Sequence, residues 1–163
     1  MPEMIQALVN ARWMPGTRSP IDAAAFDALM FADGGSRGNP GPAASGAVLL
    51  TAGGEIIEEV GRFLGNATNN VAEWTALCLG LEAALRLGIR RMAVRMDSEL
   101  VVKQMSGEYR VKNVALQPLF ARAKALTRDF ETIEIKHVPR KQNALADAVV
   151  NAVLDQEAAA RIS

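Results

Sequence analysis

The chain has 163 residues, half of them hydrophobic, which suits one domain with a real core. Its 18 Lys and Arg balance 18 Asp and Glu, so no overall charge draws it to nucleic acid or to an anionic membrane. A single cysteine, Cys78, excludes an intramolecular disulfide and cysteine-based zinc spacing, and no apolar run is long enough to cross a bilayer.

The opening MPEMIQALVNARWMPG lacks the basic start, apolar run and small-residue cleavage site of a secretory leader, and a cytoplasmic protein is expected. The charge is unevenly spread. Residues 86–141 hold 13 Lys and Arg against 6 Asp and Glu, and the remainder is acidic by the same excess. That asymmetry permits a basic face on a neutral molecule, and ordinary solvated helix faces explain it equally well.

Residues 1–25 read as an appendage to the domain proper, residues 26–163. Met4–Trp13 has the makings of a short helix, which MPGTRSP ends with two prolines and a glycine. FDALMFAD is a mostly apolar strand that stops at Asp33. The glycines that follow, Gly34, Gly35, Gly38 and Gly41, match neither G-x-G-x-x-G nor G-x-x-x-x-G-K-[ST]. A strand comes next, whereas both phosphate loops open a helix, so nucleotide binding of either kind is not expected.

SGAVLLTA and EIIEEVGRF flank the turn Gly53–Gly54, which makes three strands of an antiparallel meander. Val71, Trp74, Leu77, Cys78, Leu81 and Leu85 recur at helical spacing up to Gly88. RRMAVRMD is a strand, SELVVKQMSG a short helix, and VALQPLFARAKALTRD a helix with Pro118 in its first turns. TIEIKHV is the fifth strand and NALADAVVNAVLDQEAAARI the closing helix. The order βββαβααβα predicts an α/β fold, a mixed five-stranded sheet with helices against it.

Four acids hold telling positions on this map. Asp33 and Asp97 end the first and fourth strands; if those strands are parallel neighbours, both emerge at one carboxyl edge. Glu73 lies in the first turn of the first long helix and Asp147 near the start of the last. Each has a plain alternative. Asn70-x-x-Glu73 reads as a capping box, Asp97 or Ser98 as the cap of the helix after it, and Asp33 as a turn residue before glycine. Asp147, Asn151 and Asp155 form a polar stripe on an otherwise apolar helix, and the stripe faces either water or the other acids. If the four converge, their charges repel unless cations neutralise them, and an all-oxygen set suits Mg²⁺.

The stretches DGGSRGNPGPA, TNNVAEWTAL, MDSELVVKQM and HVPRKQNALAD, in this order, resemble type-1 ribonuclease H over roughly residues 26–155. The resemblance implies three antiparallel strands, two further parallel strands and helices on both faces. It makes Asp33, Glu73, Asp97 and Asp147 the metal-binding acids of a two-ion site for Mg²⁺, with Mn²⁺ as substitute. Asp33 would bridge both ions, Glu73 and Asp97 would complete one, and Asp147 the other. His137, ten residues before Asp147, matches the family's mobile histidine; on its own it reads as a strand-end residue.

Asn39, Thr68, Asn69 and Asn70 match residues that hold the hybrid's backbone and minor groove, and Arg140 and Lys141 are phosphate contacts or a solvated loop. The implied activity is metal-assisted hydrolysis of the RNA strand of an RNA–DNA hybrid by a monomer, leaving 5′-phosphate and 3′-hydroxyl ends. Double-stranded RNA is a further substrate of some compact members. The rival readings are another nuclease of the same fold and a non-catalytic hybrid-binding module.

Two departures stand out. Only SGEYRVKNVALQP fills the interval where larger relatives carry a basic protrusion, which predicts weaker binding and a shallower salt dependence. Glu99 stands where many relatives have a neutral residue, and the extra acid either weakens substrate approach or tunes metal affinity.

Overall fold

The structure is a computed structural model that describes residues 21–162. Strands β1 (Ala28–Ser36), β2 (Gly41–Thr51) and β3 (Ile56–Ala67) form the antiparallel meander. Strand β4 (Arg91–Met96) runs parallel to β1, and β5 (Thr132–His137) parallel to β4, in the spatial order β3-β2-β1-β4-β5. The helices are α1 (Asn69–Arg86), α2 (Glu99–Ser106), α3 (Gln117–Thr127) and α4 (Ala144–Ile162), with a 3-10 turn, Arg140–Asn143, leading into α4. The expected order βββαβααβα and the mixed sheet are those of the structure.

Strand β1 is buried on both faces, which is why it reads as an unbroken apolar run. Ala28, Met30 and Ala32 pack with Trp74, Leu77 and Leu81 of α1, and Leu29 and Phe31 pack with Leu145, Ala146 and Val149 of α4. Helices therefore cover both faces of the sheet. Trp74 is fully buried, meets Phe120 of α3 edge-on at 5.8 Å, and donates its indole N–H to Gln104 at 3.2 Å. Such an aromatic pair adds about 1 kcal/mol beyond the area it buries.

Two local expectations are corrected. Strand β1 continues three residues past Asp33, so Asp33 is a ladder residue opposite Gly46 and not a turn residue. Gly34 and Gly35 are strand residues as well, and packing explains the first of them. A Cβ on Gly34 would run into the backbone of Ala72 and Glu73 in α1. On the other face a Cβ on Gly46 would stand 2.9 Å from Val149 of α4. Missing side chains thus let both helices close on the sheet at the level of Asp33.

The capping box is the second correction. Thr68, extended at φ −85° and ψ 161°, is the N-cap of α1, and its hydroxyl accepts from Val71 N at 3.2 Å. Asn70 is already inside the helix, and Glu73 falls in the second turn with no capping duty. For α2 the cap is Ser98, whose Oγ accepts from Val101 N at 3.2 Å, and not Asp97. Pro118 is the second residue of α3, where a missing N–H costs no intrahelical bond.

The described part of the expected appendage packs on the domain. Ile21 is buried beside Leu29 and Phe31, and Arg91 donates to the Ala24 carbonyl at 2.8 Å. The helix expected over Met4–Trp13 lies outside the described residues. No helix among them is long and apolar enough to cross a membrane.

Candidate active site

Asp33 carries the series Leu29, Phe31 one step further along the α4 face of β1. Ala32 is in register with Met96 on the parallel neighbour, so Asp97, the next residue, leaves the sheet beside Asp33. Glu73 reaches the same edge from α1, whose close approach Gly34 permits. Oxygen atoms of Asp33, Glu73 and Asp97 all lie within 4.8 Å of one another. Asp147, in the first turn of α4, lines the same cleft of about 440 Å³. Asn151, one turn on, lines it too, so the polar stripe of α4 faces the cleft at these two positions.

The electrostatics follow from burial and repulsion. Asp33 is 8% exposed, and its carboxyl is pushed up to about 8, first by burial and then by the charges of Asp97, Asp147 and Glu73. Glu73 is pushed up to about 7 by burial, against a lowering hydrogen bond from the Ser98 hydroxyl, with the charge of Asp97 adding to the rise. Ser98 thus caps α2 with its lone pair and steadies Glu73 with its proton. Carboxyls that hold protons near neutrality are a set that a hard divalent cation would fit, and an oxygen-only donor set of this kind suits Mg²⁺ better than zinc.

The other expected positions divide into two groups. Asn69, Asn70 and Arg140 line the cleft. Asn39 and Thr68 brace its wall: Asn39 Oδ1 accepts from Asn69 N at 3.1 Å, and Thr68 caps α1. Asn69 Oδ1 in turn accepts from Ser36 N at 2.8 Å and Ser36 Oγ at 3.0 Å, tying the end of β1 to the start of α1. Lys141 is exposed in the 3-10 turn. His137 is exposed at the end of β5, in register with Met96, and does not line the cleft. Glu99 stays outside the cleft as well, paired with Lys103 at 2.6 Å, whose hydrogen bond holds its carboxyl below the usual range. Lys103 therefore answers the extra charge locally.

Sequence reasoning passed over two residues. Asn143, 1% exposed, donates to Asp97 Oδ1 at 3.0 Å and to the Ala32 carbonyl at 2.9 Å, while its own Oδ1 is buried without a partner. It sits four residues before Asp147, and nothing but the fold points it at Asp97. Arg37 lines the cleft beside α4, and its signal was available: a basic residue inside the DGGSRGNPGPA stretch.

The chain is similar to known proteins in sequence and in fold. Residues 31–153 match the Reverse transcriptase-like family. The chain is 49% identical to the bifunctional protein Rv2228c of Mycobacterium tuberculosis over 131 residues, which are 80% of this chain and 36% of that protein's length. It is similar in structure to RNase H1 from Halobacterium salinarum, with a TM-score of 0.77 and 44% identity over 79% of this chain and 98% of that one. LC11-RNase H1, solved in complex with an RNA/DNA hybrid, gives a TM-score of 0.76 at 38% identity, covering 80% and 98% of the two chains. Shared fold and this degree of identity over about four fifths of the chain lead to one conclusion: the chain belongs to the type-1 ribonuclease H family.

Proposed function

We propose that the chain hydrolyses the RNA strand of RNA–DNA hybrids and leaves 5′-phosphate and 3′-hydroxyl ends. The observation that carries this reading is the meeting of Asp33, Glu73 and Asp97 within 4.8 Å, with Asp147 on the same cleft wall. A pure binding module would gain nothing from repelling carboxylates where a phosphate must enter. In this reading Asp33, Glu73, Asp97 and Asp147 would hold the divalent cations. Mg²⁺ or Mn²⁺ held there would supply water activation and charge neutralisation at the leaving oxygen.

The chain's own groups do the rest. Buried Asp33 and the anchored Asp97 fix where the reacting phosphate is drawn. The hydrogen bonds that Asn39, Thr68 and Asn69 accept use their oxygens, so their N–H and O–H groups can address phosphate oxygens and 2′-hydroxyls. Asn70 and Arg140 flank the same opening. Selection of RNA rests on such 2′-hydroxyl contacts, because both strands share one phosphodiester chemistry. His137 moves a proton as product departs.

Labelled RNA–DNA, RNA–RNA and DNA–DNA duplexes, each with Mg²⁺ or Mn²⁺, test the proposal on gels. Cleavage of the hybrid's RNA strand is expected, with silence in the Asp33→Asn variant at an unchanged fold. Cleavage of DNA–DNA alone, or near-normal turnover by Asp33→Asn, overturns it.

A further inference from the structure

The cleft is a hostile entrance for a polyanion. Four carboxylates line it, and among the described residues only two cations do, Arg37 and Arg140. Arg140 is the first residue of the 3-10 turn, and Arg37 projects from the turn between β1 and β2. The Arg37 guanidinium is held by α4: Nη2 lies 2.7 Å from Asp155 Oδ1 and 3.4 Å from Asn151 Oδ1. Its backbone N–H donates to the Pro42 carbonyl at 2.8 Å, which ties down the turn that carries it. Both members of the ion pair are open to water, with 44% of the arginine side chain and 70% of the aspartate exposed. Such a pair is worth little, and a phosphodiester offers the guanidinium a stronger, doubly hydrogen-bonded partner.

We infer that Arg37 is a phosphate-binding residue of the cleft, kept in readiness by Asp155, which the backbone of the bound nucleic acid displaces. The inference rests on the hybrid-cleavage reading and adds to it a ligand and its competitor. Asp155 acts as an internal rival anion. Its charge keeps the guanidinium on the cleft wall when no substrate is present and must be given up when one enters. The contact carries no information on sugar or base, so it strengthens binding of every duplex the cleft admits to the same degree.

The test is fluorescence anisotropy of a labelled hybrid across a series of salt concentrations, on the full chain in the Asp33→Asn background so that nothing is cut. Arg37→Gln, which keeps most of the side-chain stem, is expected to weaken binding roughly tenfold, the loss of one charge-assisted hydrogen-bonded contact. The slope of log affinity against log salt should become shallower by about one. Asp155→Asn is expected to tighten binding by up to about fivefold, the worth of an exposed ion pair. In the Arg37→Gln background Asp155→Asn should change nothing.

Unchanged affinity and slope for Arg37→Gln overturn the phosphate contact. An Asp155→Asn effect that persists without Arg37 overturns the exchange and leaves only general charge repulsion. Hybrid cleavage by the parent chain, measured separately, tells a failure of this inference from a failure of the functional reading. Thermal melts of both variants, expected within a few degrees of the parent, exclude a folding cause.

Discussion

The amide of Asn143 stands 3.0 Å from Asp97 Oδ1 and 2.9 Å from the Ala32 carbonyl oxygen, so one buried side chain joins β1, the end of β4 and the approach to α4. Its own oxygen is left without a partner, at a cost usually near 1–3 kcal/mol. An amide that gives up its acceptor to aim both protons elsewhere is orienting something, and here that is a site carboxylate. Asn143→Ala should destabilise the metal-free chain by about 1–3 kcal/mol. It should also shrink the rise in melting temperature that Mg²⁺ gives, because Asp97 is no longer held. A lower melting temperature with the full Mg²⁺ effect would reduce Asn143 to a strand tie.

The raised carboxyls make the metal-free chain sensitive to pH in a definite direction. In the unfolded chain Asp33 titrates near 4, whereas in the fold it is pushed up to about 8 and Glu73 to about 7. Between those values the native state binds more protons than the unfolded one, so stability falls as pH rises from about 4 to about 8. Each group contributes a slope of at most about 1.4 kcal/mol per pH unit. Denaturant unfolding with a chelator present, at several pH values, should show this decline, and Asp33→Asn should flatten it and raise stability at pH 8. A flat profile in the parent chain would mean that the acids are not held together.

Divalent cations should reverse the trend. A ligand that binds only the folded state stabilises it by about 2.7 kcal/mol at a hundredfold excess over its dissociation constant. Protons compete for the same oxygens, so the protection given by millimolar Mg²⁺ should be large at pH 8 and small at pH 5. Thermal melts with and without the ion measure it, and Asp33→Asn should abolish most of the gain. Equal protection at both pH values would place the ion away from the carboxylates.

Much of this site was legible before the fold was known, and the misses have physical causes. The strand and helix order follows from periodicity, and Asp33 and Asp97 meet because parallel neighbours end at one edge. Gly34 and Gly35 suggested a turn, yet Gly34 is glycine because α1 packs too close for a Cβ, which is a tertiary fact. Asn70 suggested a cap, but Thr68 reaches Val71 N first from the end of β3. Local rules cannot rank two capable caps two residues apart. Asn143 and the Arg37–Asp155 pair span 46 and 118 residues of sequence, and no local pattern announces contacts of that range.

Gly34 offers a way to move one of the proposed ligands, Glu73, without touching its chemistry. In Gly34→Ala the new methyl meets the backbone of Ala72 and Glu73, which cannot swing aside as a side-chain tip would. Helix α1 must back away from β1 and take the Glu73 carboxylate with it. Overpacking of this kind costs about 1–3 kcal/mol. The variant should melt lower and also lose much of its Mg²⁺ protection, although all four acids are intact. Full protection at a lowered melting temperature would show that Glu73 can be repositioned freely.

His137 should separate turnover from metal binding. It is exposed at the end of β5 and does not line the cleft, and it lies within electrostatic reach of Glu99, which is paired with Lys103. In the proposed reading a residue so placed takes no part in gathering the cations and exchanges a proton only once substrate or product extends past the acids. His137→Ala should therefore leave the Mg²⁺ protection unchanged and slow hybrid cleavage by roughly 10²-fold, the lower range for a positioned acid or base. Complete silence would mean that the imidazole does more than move a proton, and undiminished turnover that the family histidine is idle in this chain. A loss of Mg²⁺ protection would contradict its position outside the cleft.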